Sequence, residues 1–183
     1  DYVLAHTPGN TVSNLSSTKA LKDVTEKYGC MHFSAAVGEV NVVEEMKLRE
    51  AVIGGEGNGG VIYPALHYGR DALAGIALFL SHLAKSKKKV SELRNIYPYY
   101  VIAKKKLSLS PGDEFSSIIE AVKKNFPDSA TDERDGLWID HPLGWVQIRK
   151  SNTEPIMRIY AEGKTSEDAD NLADTVIGIV KKS

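Results

Sequence analysis

The sequence predicts an α/β sandwich with a mostly parallel sheet, followed by a smaller α+β domain with an antiparallel sheet and two helices. The first observation is that strand-like and helix-like segments alternate through the first half of the chain. The second is that the second half places short strands joined by turns between amphipathic helices. This change of character near Tyr97 and Pro98 predicts a boundary at residues 96–98, and hence domains at 1–96 and 97–183.

Periodicity and end signals predict the elements of the first half. Strands are expected at 10–15, 30–37 and 50–55, and helices at 17–29, 40–49, 69–85 and 90–96. Ser17 is the predicted N-cap of the first of these helices, and Gly29 its stop. Apolar residues recur at helical spacing in the long helix at 69–85, so we expect that face to be buried. Its members are Leu73, Ile76, Ala77, Leu80, Leu83 and Ala84.

In the second half, strands are expected at 99–109, 130–134, 137–141, 144–150 and 156–163, and helices at 110–126 and 166–182. Ser110 is a predicted N-cap, with Pro111 in the first turn that follows. Asp135-Gly136 is a hairpin signal between two of the strands. The residues predicted to face inward from the helices are Phe115, Ile118, Ile119, Val122, Phe126, Ala169, Leu172, Ala173, Val176, Ile177 and Val180.

Composition limits the classes of function. The 183 residues carry a formal net charge of −1, which disfavours nucleic acid or an anionic membrane surface as a partner. Cys30 is the only cysteine, so no disulfide forms within the chain, and we expect a cytoplasmic protein. We expect no signal peptide, and the 183 residues contain no long apolar run. Because the chain opens at Asp1 without a methionine, we expect it to be a fragment of something longer.

A glycine-rich stretch, "GGEGNGGVIYP", raises two interpretations. Gly55-x-Gly57-x-x-Gly60 matches the dinucleotide-binding fingerprint, but the glycines run into residues 61–64, "VIYP", which are not the helix start that this motif requires. Glu56 beside Asn58 suits bidentate hydrogen bonds to vicinal sugar hydroxyls at the end of a buried strand. The alternative is a flexible glycine turn with an exposed Glu56, and the residues alone leave both open.

The stretch "RKSNTEP", from Arg149 to Pro155, lies between two predicted strands. A hairpin tip of Ser, Asn and Thr exposes backbone N–H groups and hydroxyls, and an adjacent guanidinium adds a forked pair of donors. The donors of such a tip can bind the oxygens of a phosphate, and Arg158 on the opposing strand reinforces the positive charge. An ordinary polar turn has the same composition, so both interpretations stand at this point.

Together, "GGEGNGGVI" and "RKSNTEP" resemble the α-D-phosphohexomutase family, which includes phosphoglucomutases, phosphomannomutases and phosphoglucosamine mutases. The resemblance covers the whole chain: the first half resembles the family's third domain, and the second half its fourth, which is related in fold to TATA-box-binding proteins. The "GEGNGG" variant resembles archaeal and Bacteroidetes-type members, which are often labelled phosphoglucosamine mutases. The segment "VGEVNV", with Glu39, also resembles a third-domain segment that borders the cleft.

The resemblance implies roles for particular residues. It implies sugar recognition by Glu56 with Asn58 and Gly55, where Asn58 replaces the serine that is usual in the family. It implies phosphate binding by the loop residues Arg149, Ser151, Asn152 and Thr153. It implies neither a catalytic residue nor a metal ligand in this chain, because the family's phosphoserine and its Mg²⁺ loop lie in the first and second domains.

The sequence is therefore predicted to be the substrate-binding half of a mutase that interconverts hexose 1-phosphate and hexose 6-phosphate through a bisphosphorylated intermediate. Its expected partners are a hexose phosphate and the missing N-terminal domains of the same chain. Mg²⁺ is expected in the full-length enzyme, outside this fragment, and the fragment alone is expected to be inactive. The alternatives are a non-catalytic phospho-sugar binding module and, from the lysine runs, a nucleic-acid binder.

Overall fold

The computed structural model describes residues 1–109, 114–151 and 154–182, which form two compact units, Asp1–Tyr99 and Tyr100–Ser183. The elements of the first unit are α1 (Tyr2–His6), β1 (Thr11–Asn14), α2 (Ala20–Lys27), β2 (His32–Ala35), α3 (Glu39–Leu48), β3 (Ile53–Gly55), β4 (Val61–Ile62), α4 (Ala72–Ser86) and α5 (Val90–Asn95). Those of the second unit are β5 (Val101–Ser108), α6 (Phe115–Lys124), β6 (Thr131–Asp132), β7 (Leu137–His141), β8 (Gly144–Lys150), β9 (Ile156–Gly163) and α7 (Ser166–Val180).

The first unit is built on a mixed sheet with strand order β2-β1-β3-β4. β1 runs parallel to both β2 and β3, and β4 returns antiparallel to β3. The apolar side chains of this sheet and of α3 form one buried cluster, and its members are Val12, Ala35, Val42, Met46, Ala51 and Ile62. The carboxyl ends of β1 and β3 therefore lie at the same edge of the sheet, next to the glycine-rich loop.

The first unit contains two elements that were not predicted, α1 and β4, and it differs from the sequence-based expectation in two further features. Ser17 does not cap α2; its hydroxyl donates to Asn14 Oδ1 at 2.7 Å, and Lys19 occupies the cap position. The apolar face predicted to be buried in α4 is largely exposed, with Leu73 at 78% and Ile76 and Leu80 at 54%. The reason is that α4 is apolar on two opposite sides, so that periodicity does not indicate which side packs inward.

The second unit is an antiparallel sheet with strand order β5-β9-β8-β7-β6. The helices α6 and α7 pack on one face, where the predicted inward positions join or pack against the buried cluster that includes Leu137, Ile148 and Ile159, except Ala169, which is also buried. Gly136 has φ +76° in the turn before β7, as the hairpin signal requires. The predicted cap Ser110 and the following Pro111 lie outside the described residues.

These two architectures confirm the predicted fold class, a mostly parallel α/β unit followed by an antiparallel α+β unit. In the part of the chain that the structure describes, no helix has both the length and the apolar composition needed to cross a bilayer.

Candidate functional site

The glycine-rich stretch is the turn of a β-hairpin between β3 and β4, and not a loop that opens a helix. Glu56 N–H donates to Gly60 O at 2.9 Å, and Gly59 N–H donates to Glu56 O at 3.0 Å. Gly55 ends β3 opposite Val61, which places Glu56 at the first turn position. This geometry supports the rejection of a dinucleotide site, since the pyrophosphate of such a site needs a helix N-terminus.

The Glu56 carboxylate is held from several directions. Its side chain is 4% exposed. Oε1 accepts hydrogen bonds from Asn14 Nδ2 at 3.1 Å and from Gly38 N–H at 3.2 Å. Oε2 lies 3.3 Å from Arg70 Nη1. A buried carboxylate with these partners is fixed in orientation, which is the property that a site reading ligand hydroxyls requires.

Arg70 joins Glu56 to a second carboxylate, Glu39. Glu39 accepts from the Arg70 backbone N–H at 2.9 Å and from Arg70 Nε at 2.8 Å. These hydrogen bonds, followed by the charge of the guanidinium, hold the pKa of Glu39 below its ordinary value. The structure thus brings Glu39, which sequence analysis singled out, and Glu56 to one arginine that sequence analysis missed.

Asn14 and Arg70 carry no motif that reveals their role in the sequence. Asn14 ends β1 and Arg70 lies just before α4, so both reach Glu56 only because the sheet brings distant segments to one edge. Next to Arg70, Asp71 caps α4 by accepting from Ala74 N–H at 2.9 Å, and its Oδ2 lies 3.1 Å from His67 Nε2. The Ala74 hydrogen bond, followed by the one from His67, lowers the pKa of Asp71.

Asn58 has a structural role within the turn. Its Oδ1 accepts from Gly60 N–H at 3.1 Å, which stabilises the loop as asparagine commonly does in turns. Asn58 is exposed to solvent. Its predicted contact with a sugar stays a prediction.

In the second unit, the loop between β8 and β9 is the predicted phosphate-binding segment. Arg149, whose side chain is 20% exposed, has its Nε 3.4 Å from Asp135 Oδ2 in the turn before β7. Ser151 is buried, and its N–H donates to Ile156 O at 2.9 Å, closing the base of the loop. The other two predicted phosphate contacts, Asn152 and Thr153, lie outside the described residues.

A row of cations crosses three neighbouring strands beside this loop. Arg149 of β8 faces Arg158 of β9, and Arg158 faces Lys106 of β5. Like charges directly opposite each other in a sheet are destabilising. Carboxylates offset part of this repulsion, because Asp135 lies beside Arg149 and Glu154 Oε2 lies 3.7 Å from Arg158 Nη2. We refer to Arg149, Arg158 and Lys106 as the cation row.

Within residues 1–109, 114–151 and 154–182, no three side chains of His, Cys, Asp or Glu come together in a way that could hold a metal ion. The site residues belong to separate units: Gly55, Glu56 and Asn58 to the first, and Arg149 and Ser151 to the second.

Comparison with known proteins defines the class. A family model described as phosphoglucomutase/phosphomannomutase, alpha/beta/alpha domain III, matches residues 1–100, and a model of the C-terminal domain of the same family matches residues 104–179. The chain therefore belongs to the phosphohexomutase family and corresponds to its C-terminal part.

Individual relatives agree with this assignment. A phosphoglucomutase/phosphomannomutase of Thermococcus kodakarensis is 33% identical, and the match covers 100% of this chain and 40% of that protein. A phosphoglucosamine/phosphogalactosamine mutase of Sulfurisphaera tokodaii is also 33% identical, over 93% of this chain and 38% of its own length. The chain thus spans about two fifths of the length of these relatives.

Solved structures share the fold at low sequence identity. A phosphoglucomutase/phosphomannomutase family protein from Burkholderia thailandensis superposes with a TM-score of 0.78 at 22% identity, over 98% of this chain and 39% of the other. Aspergillus fumigatus N-acetylphosphoglucosamine mutase, in complex with GlcNAc-6P and magnesium, gives a TM-score of 0.67 at 14% identity, over 96% of this chain and 39% of the other.

Proposed function

We propose that the full-length protein containing this chain is a phosphohexomutase that interconverts hexose 1-phosphate and hexose 6-phosphate. Family membership supports this proposal, as do relatives whose activities concern phosphoglucose, phosphomannose and phosphoglucosamine. Because the chain spans about two fifths of those relatives, the activity is proposed for the whole protein. These residues by themselves are expected to bind substrate without converting it.

Glu56 is proposed to read hydroxyl groups of the sugar. Its Oε1 already accepts two hydrogen bonds, from Asn14 and Gly38, so we assign the sugar hydroxyl to Oε2 beside Arg70. A carboxylate oxygen accepts about two hydrogen bonds, which leaves room at Oε2 for a hydroxyl donor. Arg70 and Glu39 would hold the carboxylate in place while the sugar binds.

The observation that carries the phosphate-binding proposal is the cation row beside the β8–β9 loop. An anion placed there relieves the repulsion between facing guanidinium and ammonium groups, and Arg149 can donate a forked pair of hydrogen bonds to phosphate oxygens. Ser151, with Asn152 and Thr153, is proposed to add hydroxyl and backbone N–H donors. The phosphate would then displace Asp135 or Glu154 as the partner of its arginine.

Separate binding sites for the phosphate and for the sugar hydroxyls suit a reaction in which the phosphoryl group moves between a phosphoserine and two oxygens of the sugar. The bisphosphorylated intermediate has to be bound in both orientations, which requires one site that binds phosphate tightly and another that binds the hydroxyl groups. The phosphoserine and Mg²⁺ are proposed to belong to the rest of the protein, where the metal would neutralise charge on the transferring phosphoryl group.

The test is a coupled assay of the full-length protein with glucose, mannose and glucosamine 1-phosphates. We expect conversion of at least one of them, with weaker sugar-phosphate binding in Arg149→Ala. Losing one charged hydrogen bond costs about 1–3 kcal/mol, or roughly a 5- to 150-fold rise in Kd. Arg134→Ala removes an exposed arginine paired with Asp132 and is expected to leave affinity within about 2-fold as a matched control.

The alternative is a non-catalytic module that binds phosphorylated sugars. A full-length protein that binds all of these phosphates but converts none of them would favour that alternative. An affinity unchanged by Arg149→Ala would instead contradict the phosphate site, whichever activity the protein has.

A further inference from the structure

The helix α4 is unusual for a surface helix because it is apolar on opposite sides. Its inner side approaches the sheet closely: a Cβ added to Gly75 would lie 3.1 Å from Val61 Cγ2. On the same side, Leu78 lines a largely apolar cavity of about 440 Å³ together with Val24 of α2 and Leu93 of α5. The inner side of α4 therefore packs within the first unit. An ordinary surface helix packed in this way carries polar residues on its outer side.

The opposite side of α4 carries an apolar stripe instead. Its members are Leu73, Ile76, Ala77, Leu80 and Ala84, which we call the outer stripe. They follow the spacing i, i+3, i+4, i+7 and i+11, so they share one helical face. Leu73 is 78% exposed, and Ile76 and Leu80 are each 54% exposed. Contiguous exposed apolar surface of this kind marks an interaction site.

Two observations indicate what covers the outer stripe: the packing of the opposite side of α4, and the length of the proteins to which this chain is similar. A lipid surface fits poorly, because a helix that lies on a membrane needs a polar face toward water, and the side of α4 opposite the stripe is packed on protein. The match covers 40% of the Thermococcus relative, so about three fifths of such a protein lies outside this region. A domain tethered in the same polypeptide acts at millimolar effective concentration, which outcompetes a second copy at micromolar concentration.

We propose that the outer stripe of α4 is the surface on which the N-terminal domains of the same polypeptide pack, through an apolar face of their own. This inference goes beyond the proposed function, because it concerns assembly of the chain and not its substrate. It holds whichever hexose phosphate the full-length protein converts.

The experiment places a photo-crosslinking benzoylphenylalanine at Leu80 of the full-length protein, with the same residue at exposed Ser91 of α5 as control. After irradiation, we expect a product of monomer mass in which position 80 is joined to a peptide outside residues 1–183. The control position is expected to give little of this product. Because Leu80 is already exposed in this chain, the bulky replacement is compatible with its fold.

Every other outcome overturns the proposal. A product of dimer mass assigns the outer stripe to a second copy, and a crosslink to peptides within residues 1–183 assigns it to this chain itself. If position 80 gives no more crosslinked product than position 91, no other domain packs on the outer stripe. Mutase activity, measured in the same samples, reports separately on the proposed function.

A second measurement uses a smaller replacement. In a full-length background in which Cys30 and every cysteine outside residues 1–183 are replaced by Ser, Leu80→Cys is expected to react with a maleimide at least about 50-fold more slowly in the native protein than in urea, whereas Ser91→Cys changes by less than about 3-fold. Equal rates at the two positions in the native protein would contradict the proposal. Protection that vanishes on dilution would also contradict it, because a tethered domain stays bound at any concentration.

Discussion

His32 ties β1, β2 and α2 together through a buried polar cluster. Thr11 Oγ1 lies 2.8 Å from His32 Nδ1 and 2.7 Å from Thr25 Oγ1, and Ser13 Oγ lies 3.2 Å from His32 Nε2. Burial, followed by the charge of Lys22, lowers the pKa of His32 from 6.5 to about 4. The neutral imidazole is therefore the form that the fold requires.

This depressed pKa predicts a loss of stability in acid. Between pH 6.5 and about 4 the unfolded chain binds a proton at His32 that the folded chain does not, so stability is complete above this window and falls with pH through it. We expect His32 to remove about 2 kcal/mol from the free energy of unfolding between about pH 7 and about pH 5. Urea unfolding followed by circular dichroism checks this, and His32→Asn should lose correspondingly less. The same loss in the variant and the wild type would contradict the role of His32.

Arg70 is the second residue whose replacement is informative. In Arg70→Gln, the nearly buried Glu56 carboxylate loses its cationic partner, which is expected to cost about 1–3 kcal/mol in the free energy of unfolding. Arg134→Gln is the matched control, because Arg134 is an exposed arginine that pairs with Asp132 two positions away, and such a surface pair is worth about 0–1 kcal/mol. Urea titrations of both variants measure the difference, and equal costs would mean that Arg70 does not hold Glu56.

At the scale of elements, two turns need glycine for different reasons. Gly29 ends α2 with φ +67° and has no atom within 4 Å of an added Cβ. Gly136 has a similar φ of +76°, but an added Cβ would lie only 2.0 Å from Ile148 O of β8. The first position therefore requires only the left-handed conformation, whereas the second also requires the absence of a side chain.

Alanine substitutions separate these two requirements. Gly29→Ala is expected to cost about 1–2 kcal/mol, the penalty of a left-handed residue with a side chain. Gly136→Ala is expected to cost more than about 3 kcal/mol, because β7 and β8 also have to move apart. Circular dichroism follows the first variant in urea. Fluorescence of Trp138 and Trp145 follows the second, since both tryptophans lie in the second unit. A smaller cost for Gly136→Ala than for Gly29→Ala would contradict the geometry.

The helices show where periodicity succeeds and where it fails. In α6 and α7 the apolar stripe is bordered by charged residues, so only one side can face the core, and the predicted inward residues are buried or pack against the cluster. In α4 both sides are apolar, and the face that sequence analysis selected is the exposed one. Tertiary packing chose the other side because Gly75 allows α4 to lie close to Val61.

At the scale of the whole molecule, each unit has its own buried cluster and its own sheet. The cluster of the second unit is the larger, and all strands of its antiparallel sheet come from residues after Tyr100. Expressed alone, the second unit is expected to fold with tryptophan emission unchanged and a urea midpoint within about 0.5 M of that in the full chain. An unfolded fragment would show that the second unit depends on residues before Tyr100.

The candidate site was predictable only in part. Glu56 and the loop from Arg149 to Thr153 stand out because turn chemistry and charge lie close together in the sequence. Arg70 and Asn14 do not stand out, since one lies fourteen positions after Glu56 and the other forty-two before it, and only the sheet edge unites them. The place of Arg158 opposite Arg149 followed from the two strands that flank the loop, whereas Lys106 was hidden, because the sequence does not state how β5 pairs with β9.

The sequence by itself determined the order of elements except α1 and β4, the fold class and, through its two loop motifs, the family, because periodicity, turn chemistry and short motifs are local properties of the chain. Tertiary structure alone decided which side of α4 packs inward, which residues hold the Glu56 carboxylate and that Lys106 of β5 joins Arg149 and Arg158 beside the β8–β9 loop. These depend on contacts between residues distant in sequence, where strand register and close packing select one arrangement among several that the local pattern allows.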